Sequence, residues 1–360
     1  MLRKTARRSL AALRTSQIIC SISVRHSPDI LIRMTTPDAH ALEAAERWTS
    51  SQIKNWSPQW RTNLAEWLEP NLALVGDSEW GGQIRDMVQL PVQDPLAWAN
   101  RRVELPNGHW AVAGIRFRGR DIEKPFVDII ATSLPPEPLG FAALGDVLPS
   151  FDAFSPLCMR VNLPDPEQRL RALTGSGMDV GQATPDLLIV ARPVAEMREQ
   201  PLADRYDDVA LVACAPEEAA ERVAAIYEAL KPSRPQLGQW AVPADAESLE
   251  DAAEEGLLFE IRVGGTSAGI VAAERDDSYG FTGFCMQEIA LNSAHRGQRV
   301  GIAALQRLTR QVPANTNDVL WGHIHPDNVP SLRNARDSGR QVVTAHVWVT
   351  PTGYRGMPTT

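Results

Sequence analysis

Short apolar segments and helical segments alternate in a definite order along the last two-fifths of the chain, and this order constrains the fold more than any other feature. Strands are expected where a short run is continuously or alternately apolar, and helices where good helix formers follow a capping residue or Pro. From residue 209 the pattern predicts strand, helix, helix, three strands, helix, strand, helix and strand. Such an order is typical of an α/β (α+β) fold, with a mixed central sheet flanked by helices.

Individual residues locate these elements. Pro216, followed by two acidic residues, opens a helix that ends near Leu230. The pair Gly264-Gly265 separates two apolar runs and predicts a hairpin of strands 257–263 and 267–274. The other predicted elements are strands at 209–214, 284–291, 319–324 and 341–349, and helices at 246–255, 300–311 and 331–337.

The N-terminal half predicts an α+β unit without a motif that carries chemistry. Helical sequence covers residues 39–69 and is predicted to end at Pro70. The turn signal Pro106-Asn107-Gly108 predicts a hairpin over 107–133. The predicted domains are a basic leader (1–35), an N-terminal α+β domain of unknown role (36–203), a C-terminal domain (204–352) and a tail (353–360).

Composition excludes several classes of function. The net charge of -8 gives no basic footprint for nucleic acid. No apolar run approaches the roughly 20 residues of a membrane helix, so no membrane partner is expected. The 4 Cys residues are far apart in sequence and predict free thiols. No histidine, cysteine or carboxylate spacing predicts a metal site.

The first 33 residues carry seven basic side chains and one acid. This composition fits a mitochondrial transit peptide. It also fits a disordered tail or an over-extended start, because Met34 and the residues after it resemble the beginning of an ordinary cytosolic protein. The expectation is a cytoplasmic protein, with a mitochondrial location as the alternative.

One loop between a predicted strand and a predicted helix carries the chemistry. Small residues there let backbone N–H groups approach a ligand closely, and the helix start adds partial positive charge. Together they predict an anion site suited to a pyrophosphate. Taken locally, a tight strand-to-helix turn explains the loop equally well. Its central residues are Arg296, Gly297, Gln298, Arg299, Val300 and Gly301.

The element order, with this loop after the fourth strand, resembles the GNAT superfamily of N-acetyltransferases. That family has an Arg/Gln-x-x-Gly-x-Gly/Ala motif, and Arg296, Val300 and Gly301 fall on its pattern while Arg299 replaces the central glycine. A second similarity is Asn328, which begins an Asn-x-x-Ala/Ser segment after the fifth strand. Where many members carry a Tyr general acid, this sequence has Ala335.

The resemblance implies that the C-terminal domain binds acetyl-coenzyme A as acyl donor and transfers the acetyl group to a primary amine by direct attack in a ternary complex. It also implies that the end of the fourth strand pairs with the pantetheine arm. The implied cofactor-binding residues are Ile289, Ala290, Leu291, Arg296, Gly297, Gln298, Arg299, Val300, Gly301, Ile302, Ala303 and Asn328.

Glu288 is the candidate general base, because family members often place a carboxylate on this strand; a solvated strand carboxylate is the alternative. His323 and His325 are predicted to share a strand face, where either could relay a proton. The expected acceptor is a small-molecule or peptide amine, and the acidic body favours a cationic one.

Two alternatives stay open. The fold could be a non-catalytic acyl-coenzyme A sensor or interaction module, because the usual Tyr is missing. Residues 36–203 could be a degenerate GNAT-like copy. The sequence does not predict the oligomeric state.

Overall fold

The computed structural model describes residues 36–175, 181–239 and 241–358. Their contacts form two compact units. The N-terminal unit comprises the described residues up to Leu188 together with those from Val343 onward, and the C-terminal unit comprises Ile189–Val342. The basic leader lies outside the described residues.

Eleven strands and twelve α-helices are described, besides short 3-10 turns. The strands are β1 (Arg101–Glu104), β2 (Trp110–Phe117), β3 (Pro125–Thr132), β4 (Met159–Pro164), β5 (Gln182–Pro193), β6 (Val209–Ala213), β7 (Leu258–Val263), β8 (Thr266–Arg275), β9 (Gly283–Leu291), β10 (Val319–Ile324) and β11 (Gln341–Thr350). The helices are α1 (Thr36–Arg47), α2 (Ser51–Trp56), α3 (Trp60–Ala73), α4 (Ser78–Val88), α5 (Pro95–Trp98), α6 (Pro138–Leu144), α7 (Pro166–Gly175), α8 (Val194–Arg198), α9 (Pro216–Leu230), α10 (Glu250–Glu254), α11 (Val300–Gln311) and α12 (Val329–Asp337).

The C-terminal unit is built on a mixed sheet in the order β6-β7-β8-β9-β10, with the end of β5 beside β10. The pairs β6–β7, β7–β8 and β8–β9 are antiparallel, whereas β9 and β10 run parallel. The predicted hairpin is confirmed. Gly264 and Gly265 both have positive φ, at 57° and 82°, as a two-residue turn between twisted strands requires.

Helices cover both faces of this sheet. Successive residues of β8 point to opposite faces, and they belong to different apolar clusters. Val271 packs in the cluster that contains α11, whereas Ile270 packs in the cluster that contains α9 and α10. The face of the sheet that packs against α11 is called the α11 face, and the face that packs against α9 and α10 is called the α9 face.

Within the N-terminal unit, the sheet has the strand order β1-β2-β3-β4-β11. The core of this unit includes Trp98, Phe141 and Phe151, each at most 1% exposed. The last strand, β11, belongs to this sheet and pairs antiparallel with β4 from Thr344 to Val349. The contact units therefore differ from the predicted domains, and the boundary between residues 203 and 204 stays a prediction.

The two units repeat one order of elements. In the N-terminal unit, three antiparallel strands (β1–β3) are followed by α6, by β4 parallel to β3, by α7 and by β5. In the C-terminal part, β7–β9 are followed by α11, by parallel β10, by α12 and by β11. This repetition supports the interpretation of the N-terminal half as a degenerate copy of the C-terminal domain.

The prediction that the first helical region ends at Pro70 is wrong. Pro70 lies inside α3, which continues to Ala73. A proline removes one backbone donor, and tertiary contacts can offset that loss. Here Asn100 Nδ2 donates to the Asn71 carbonyl at 2.8 Å, and Leu72 packs against the cores of two apolar clusters.

Within the described residues, no helix is long and apolar enough to cross a membrane.

Candidate functional site

The parallel strands β9 and β10 pair only at their beginnings. Their register joins Val319 to Gly283, Leu320 to Phe284 and Trp321 to Cys285. Beyond these three pairs, the described parts of both strands continue without a register between them. The carboxyl ends of two parallel strands therefore separate, and separated ends of this kind are where open α/β sheets bind ligands.

The loop after β9 leads directly into α11. A single 3-10 turn covers Ser293–His295, and the chain then passes Gly297 and Arg299, both with positive φ (71° and 60°). Arg299 is the N-cap of α11 and caps it with no side-chain hydrogen bond. The first backbone bond of the helix runs from Ala303 N–H to the Arg299 carbonyl at 3.2 Å. The backbone N–H groups before Ala303 lie ahead of the first helical hydrogen bond, as at every helix start. Such N–H groups are donors suited to an anion.

Arg299 adopts a left-handed backbone conformation, with φ at 60° and ψ at 10°, which glycine adopts at the lowest steric cost. Its side chain lies 4.0 Å from Asp204, and both side chains are largely exposed. Such an exposed pair contributes little energy.

Gly301 has a structural reason for being glycine. It is buried, and a Cβ there would lie 3.1 Å from Asn334 Oδ1 on α12. The missing side chain allows α11 and α12 to pack closely. At Gly297, by contrast, a Cβ would meet no atom within 4 Å.

Two arginines concentrate positive charge at the loop. The Arg296 Nε donates to the Leu291 carbonyl at 2.8 Å, which anchors the loop to the end of β9. Burial lowers the pKa of Arg296, and the like charge of Arg234 lowers it further. Two guanidinium groups close enough to repel each other favour a bound anion between them. The sequence gives no signal for Arg234, because it lies in a proline-flanked segment far along the chain from the loop.

A β-bulge determines the direction of Glu288. Ala272 pairs with Glu288 whereas Ala273 pairs with Met286, so Gln287 is an extra residue in β9. Before the bulge, Phe284 and Met286 pack on the α11 face; after it, Ala290 packs on the α9 face. The extra residue therefore turns the Glu288 side chain to the α9 face, and bulges often re-aim a side chain next to an active site.

Glu288 is a buried, hydrogen-bonded carboxyl group. Its residue is 8% exposed, and its Oε1 accepts a hydrogen bond from the Ile289 N–H at 2.9 Å. Burial raises the pKa of Glu288 to about 7, while hydrogen bonds from the Ala244 and Ile289 N–H groups and the Tyr227 hydroxyl act in the opposite direction. Burial and the neighbouring Glu288 likewise raise the pKa of Tyr227. Tyr227 and Ala244 were not predicted from the sequence.

The implied cofactor-binding residues fall into different environments. Ile302 and Ala303 are buried in the core of the α11 face, so only their backbone groups could meet a ligand. The Ile289 N–H and the Leu291 carbonyl are engaged within the chain. Asn328 Oδ1 accepts a hydrogen bond from the Ser331 N–H at 3.3 Å and caps α12. These assignments stay predictions.

Of the two histidines that were predicted to share a strand face, only one lies in the strand. His323 lies in β10, and its Nε2 lies 2.8 Å from the Tyr279 hydroxyl. His325 follows the strand and accepts a hydrogen bond from the Asp327 N–H through Nδ1 at 3.2 Å. Ala335 is fully buried in α12. No group of three metal-ligating side chains that could hold an ion occurs among the described residues.

No protein-family model matches the chain, and no curated protein matches it significantly. Solved structures do match. A GCN5-related N-acetyltransferase from Kribbella flavida is 16% identical, over 78% of this chain and 97% of that chain, with a TM-score of 0.39. An acetyltransferase from the GNAT family from Colwellia psychrerythraea is 13% identical, over 68% and 85%, with a TM-score of 0.42.

A tandem GNAT protein from the clavulanic acid biosynthesis pathway also matches, at 12% identity over 68% of this chain and 82% of that chain, with a TM-score of 0.39. The C-terminal unit has a GNAT-like fold by its own topology. It consists of an antiparallel meander, a parallel strand pair with separating ends (β9 and β10), and a loop after β9 that leads into the N-cap of α11.

Proposed function

We propose that the C-terminal unit binds acetyl-coenzyme A and transfers its acetyl group to a primary amine, with Glu288 as general base. One observation is the main support for this proposal. The bulge in β9 presents a buried carboxyl group on the strand whose separating end leads into the cationic loop. A base, an anion site and an open strand edge then follow one another along a single segment.

The loop supplies the groups that an acyl donor with a pyrophosphate needs. The N–H groups at the start of α11 and the guanidinium groups of Arg296 and Arg234 would hold the pyrophosphate. The separated edges of β9 and β10 would place the thioester beside Glu288, because that residue lies within the part of β9 that has no register with β10.

Glu288 suits the proton transfer that this reaction requires. An alkylamine has a pKa of roughly 10 and attacks only after it has lost one proton to solvent, and a base must accept a second proton from the nitrogen as the amide forms. A carboxyl group with a pKa of about 7 is ionised in about half of the molecules at neutral pH. The nitrogen then forms a bond to the carbonyl carbon, and the carbon–sulfur bond breaks.

The experiment measures release of the coenzyme A thiol with a panel of amines that includes spermidine, an aminoglycoside and a peptide amine. We expect turnover with at least one amine, and a loss of kcat in Glu288→Gln of about 10²- to 10⁴-fold, the range for removal of a general base. The KM for acetyl-coenzyme A should change little. The matched control is Glu254→Gln, since Glu254 is an exposed carboxylate at the end of α10.

Full turnover in Glu288→Gln would show that another group is the base. The acidic body leads us to propose a cationic acceptor, and acetylation of neutral or acidic amines alone would contradict that part.

A second candidate function is a non-catalytic acyl-coenzyme A sensor. Its specific support is Ala335, which is fully buried where the resemblance places a tyrosine hydroxyl. Binding of acetyl-coenzyme A without turnover on any amine of the panel would favour the sensor.

A further inference from the structure

The α9 face of the sheet carries a second polar group beside the separating strand ends. Trp321 is in register with Cys285, and residues 320 and 284 both pack on the α11 face. Trp321 therefore points to the α9 face, and His323, two residues further along β10, points to the same face. Glu288 reaches that face from β9 through the bulge. A carboxyl group and an imidazole thus approach the gap from its two sides.

Several contacts hold the His323 ring in place. The Tyr279 hydroxyl lies 2.8 Å from its Nε2. The ring also lies edge-on to Trp321, with centroids 5.0 Å apart, and to Tyr279, at 6.1 Å. Tyr279 and Trp321 are almost fully buried, whereas His323 is only partly buried. A fixed imidazole at the edge of a gap is placed to exchange a proton with a ligand there.

We propose that His323, positioned by Tyr279, donates the proton that the departing thiolate of coenzyme A requires. The inference rests on the proposed function, and it supplies a proton donor where Ala335 provides none. Tyr279 acts as a positioning residue because its hydroxyl bonds the ring, and its own side chain is buried.

The proton balance closes with these two groups. The ammonium form of the amine first gives one proton to solvent, and the neutral nitrogen then bonds to the carbonyl carbon and loses a second proton to Glu288. The carbon–sulfur bond breaks, its electron pair stays on sulfur, and the imidazolium of His323 gives that sulfur a proton. The enzyme is left with a protonated carboxyl group and a neutral imidazole. Transfer of one proton between them through solvent restores the starting state.

Several titratable groups surround His323 and Glu288. On the loop between β8 and β9 these are Asp276, Asp277 and Tyr279; the Asp276 carbonyl accepts the Trp321 Nε1 hydrogen bond at 3.0 Å. On β9 they are Cys285 and Glu288, and on α9 Tyr227 interacts with Glu288. His325, after β10, is occupied with Asp327. Three charged groups act on Cys285, namely Asp276, Glu274 and Arg340.

The test uses coenzyme A itself and needs no acceptor. The ultraviolet absorbance of the thiolate is followed against pH for coenzyme A bound to the full chain. A thiol titrates at about 8.5 in water, and an adjacent imidazolium stabilises the thiolate. We expect the bound thiol to titrate at least about one pH unit lower, which is a tenfold larger thiolate-to-thiol ratio below the pKa.

The variants are His323→Asn, Tyr279→Phe and the control His325→Asn. In His323→Asn the bound thiol should titrate at or above its value in water, and in Tyr279→Phe between that value and the wild-type value. His325→Asn should match the wild type. A bound thiol that titrates as in water in the wild-type protein would overturn the role of His323, even if the variants failed to fold. Failure of the wild-type protein to bind coenzyme A would instead overturn the proposed function and this inference with it.

Discussion

The buried carboxyl group of Glu288 makes stability depend on pH in a predictable direction. Burial raises its pKa to about 7 from an ordinary value of 4.5. The folded protein therefore favours the protonated form. The stabilising contribution of that form is fully present below pH 4.5, and it is lost as the pH rises through about 7.

The size of this effect follows from the shift. A difference of about 2.5 pKa units, at 1.36 kcal/mol per unit, corresponds to about 3 kcal/mol over the whole titration. Between pH 5 and pH 8 the change is about 2.5 kcal/mol. Glutamine does not titrate, so the free energy of unfolding of Glu288→Gln should increase relative to that of the wild type by about 2.5 kcal/mol between pH 5 and pH 8.

Differential scanning calorimetry at pH 5 and pH 8 measures the difference directly. For a unit of this size, 1 kcal/mol shifts Tm by roughly 2–4 °C, so the Tm of Glu288→Gln should rise by about 5–10 °C relative to wild type between the two pH values. Equal Tm differences at pH 5 and pH 8 would refute the reasoning, because they would mean that Glu288 titrates alike in folded and unfolded chains.

Glu260 provides a control of opposite sign. It is also buried, and burial alone raises its pKa. Hydrogen bonds from Ser267 and Arg262 and the charges of Arg222 and Arg262 exceed that effect, so the pKa of Glu260 is lowered. Its contribution to stability is present above the unfolded value and is lost as the pH falls. Glu260→Gln should therefore be less stable than wild type at pH 8, by a margin that shrinks toward low pH.

Three further predictions test the fold. Residues 36–188 alone should fail to fold cooperatively, because β4 loses its pairing with β11 and the core loses the buried Val347 and Val349. Addition of a peptide of residues 341–358 should restore the near-ultraviolet circular dichroism of this fragment. A fragment that is stable without the peptide would contradict this prediction. Asp128→Asn should cost about 3 kcal/mol in urea unfolding, because it leaves the buried Arg160 without its carboxylate partner, whereas Asp86→Asn at the exposed pair with Arg85 should cost under about 0.5 kcal/mol. At position 299, Ala should be less stable than Gly by about 1 kcal/mol, since φ is 60° there and both variants lose the same side chain; equal stabilities would argue against the left-handed conformation.

The sequence predicted the C-terminal elements closely because local signals and burial agree there. The predicted bounds of α11 and β10 are those observed, and α9 begins at Pro216 as expected. The helix predicted over 246–255 is shorter, because a 3-10 turn (Glu247–Leu249) precedes α10. In the N-terminal half, α4 and α5 were missed, since their short amphipathic sequences contain glycines or begin at Pro95.

The candidate site was only partly predictable, for physical reasons. The loop could be found because a strand, a turn and a helix follow one another in sequence. The bulge that turns the Glu288 side chain depends on pairing between β8 and β9, and no residue type in β9 predicts it. Tyr227, Arg234 and Tyr279 come to the site from other segments, and their proximity exists only in the folded chain.

The most direct measurement of the central claim is a calorimetric titration of acetyl-coenzyme A into the full chain, its Gln298→Glu variant and its Gln311→Glu variant. Glu at 298 places a carboxylate at an exposed position of the loop before α11, whereas Glu at 311 adds the same charge at the exposed far end of that helix. We expect binding by the wild type and by Gln311→Glu, and a loss of at least about tenfold in affinity in Gln298→Glu, equivalent to 1.4 kcal/mol. Absence of binding by the folded wild-type protein, or equal affinity in all three proteins, would contradict a cofactor site at this loop.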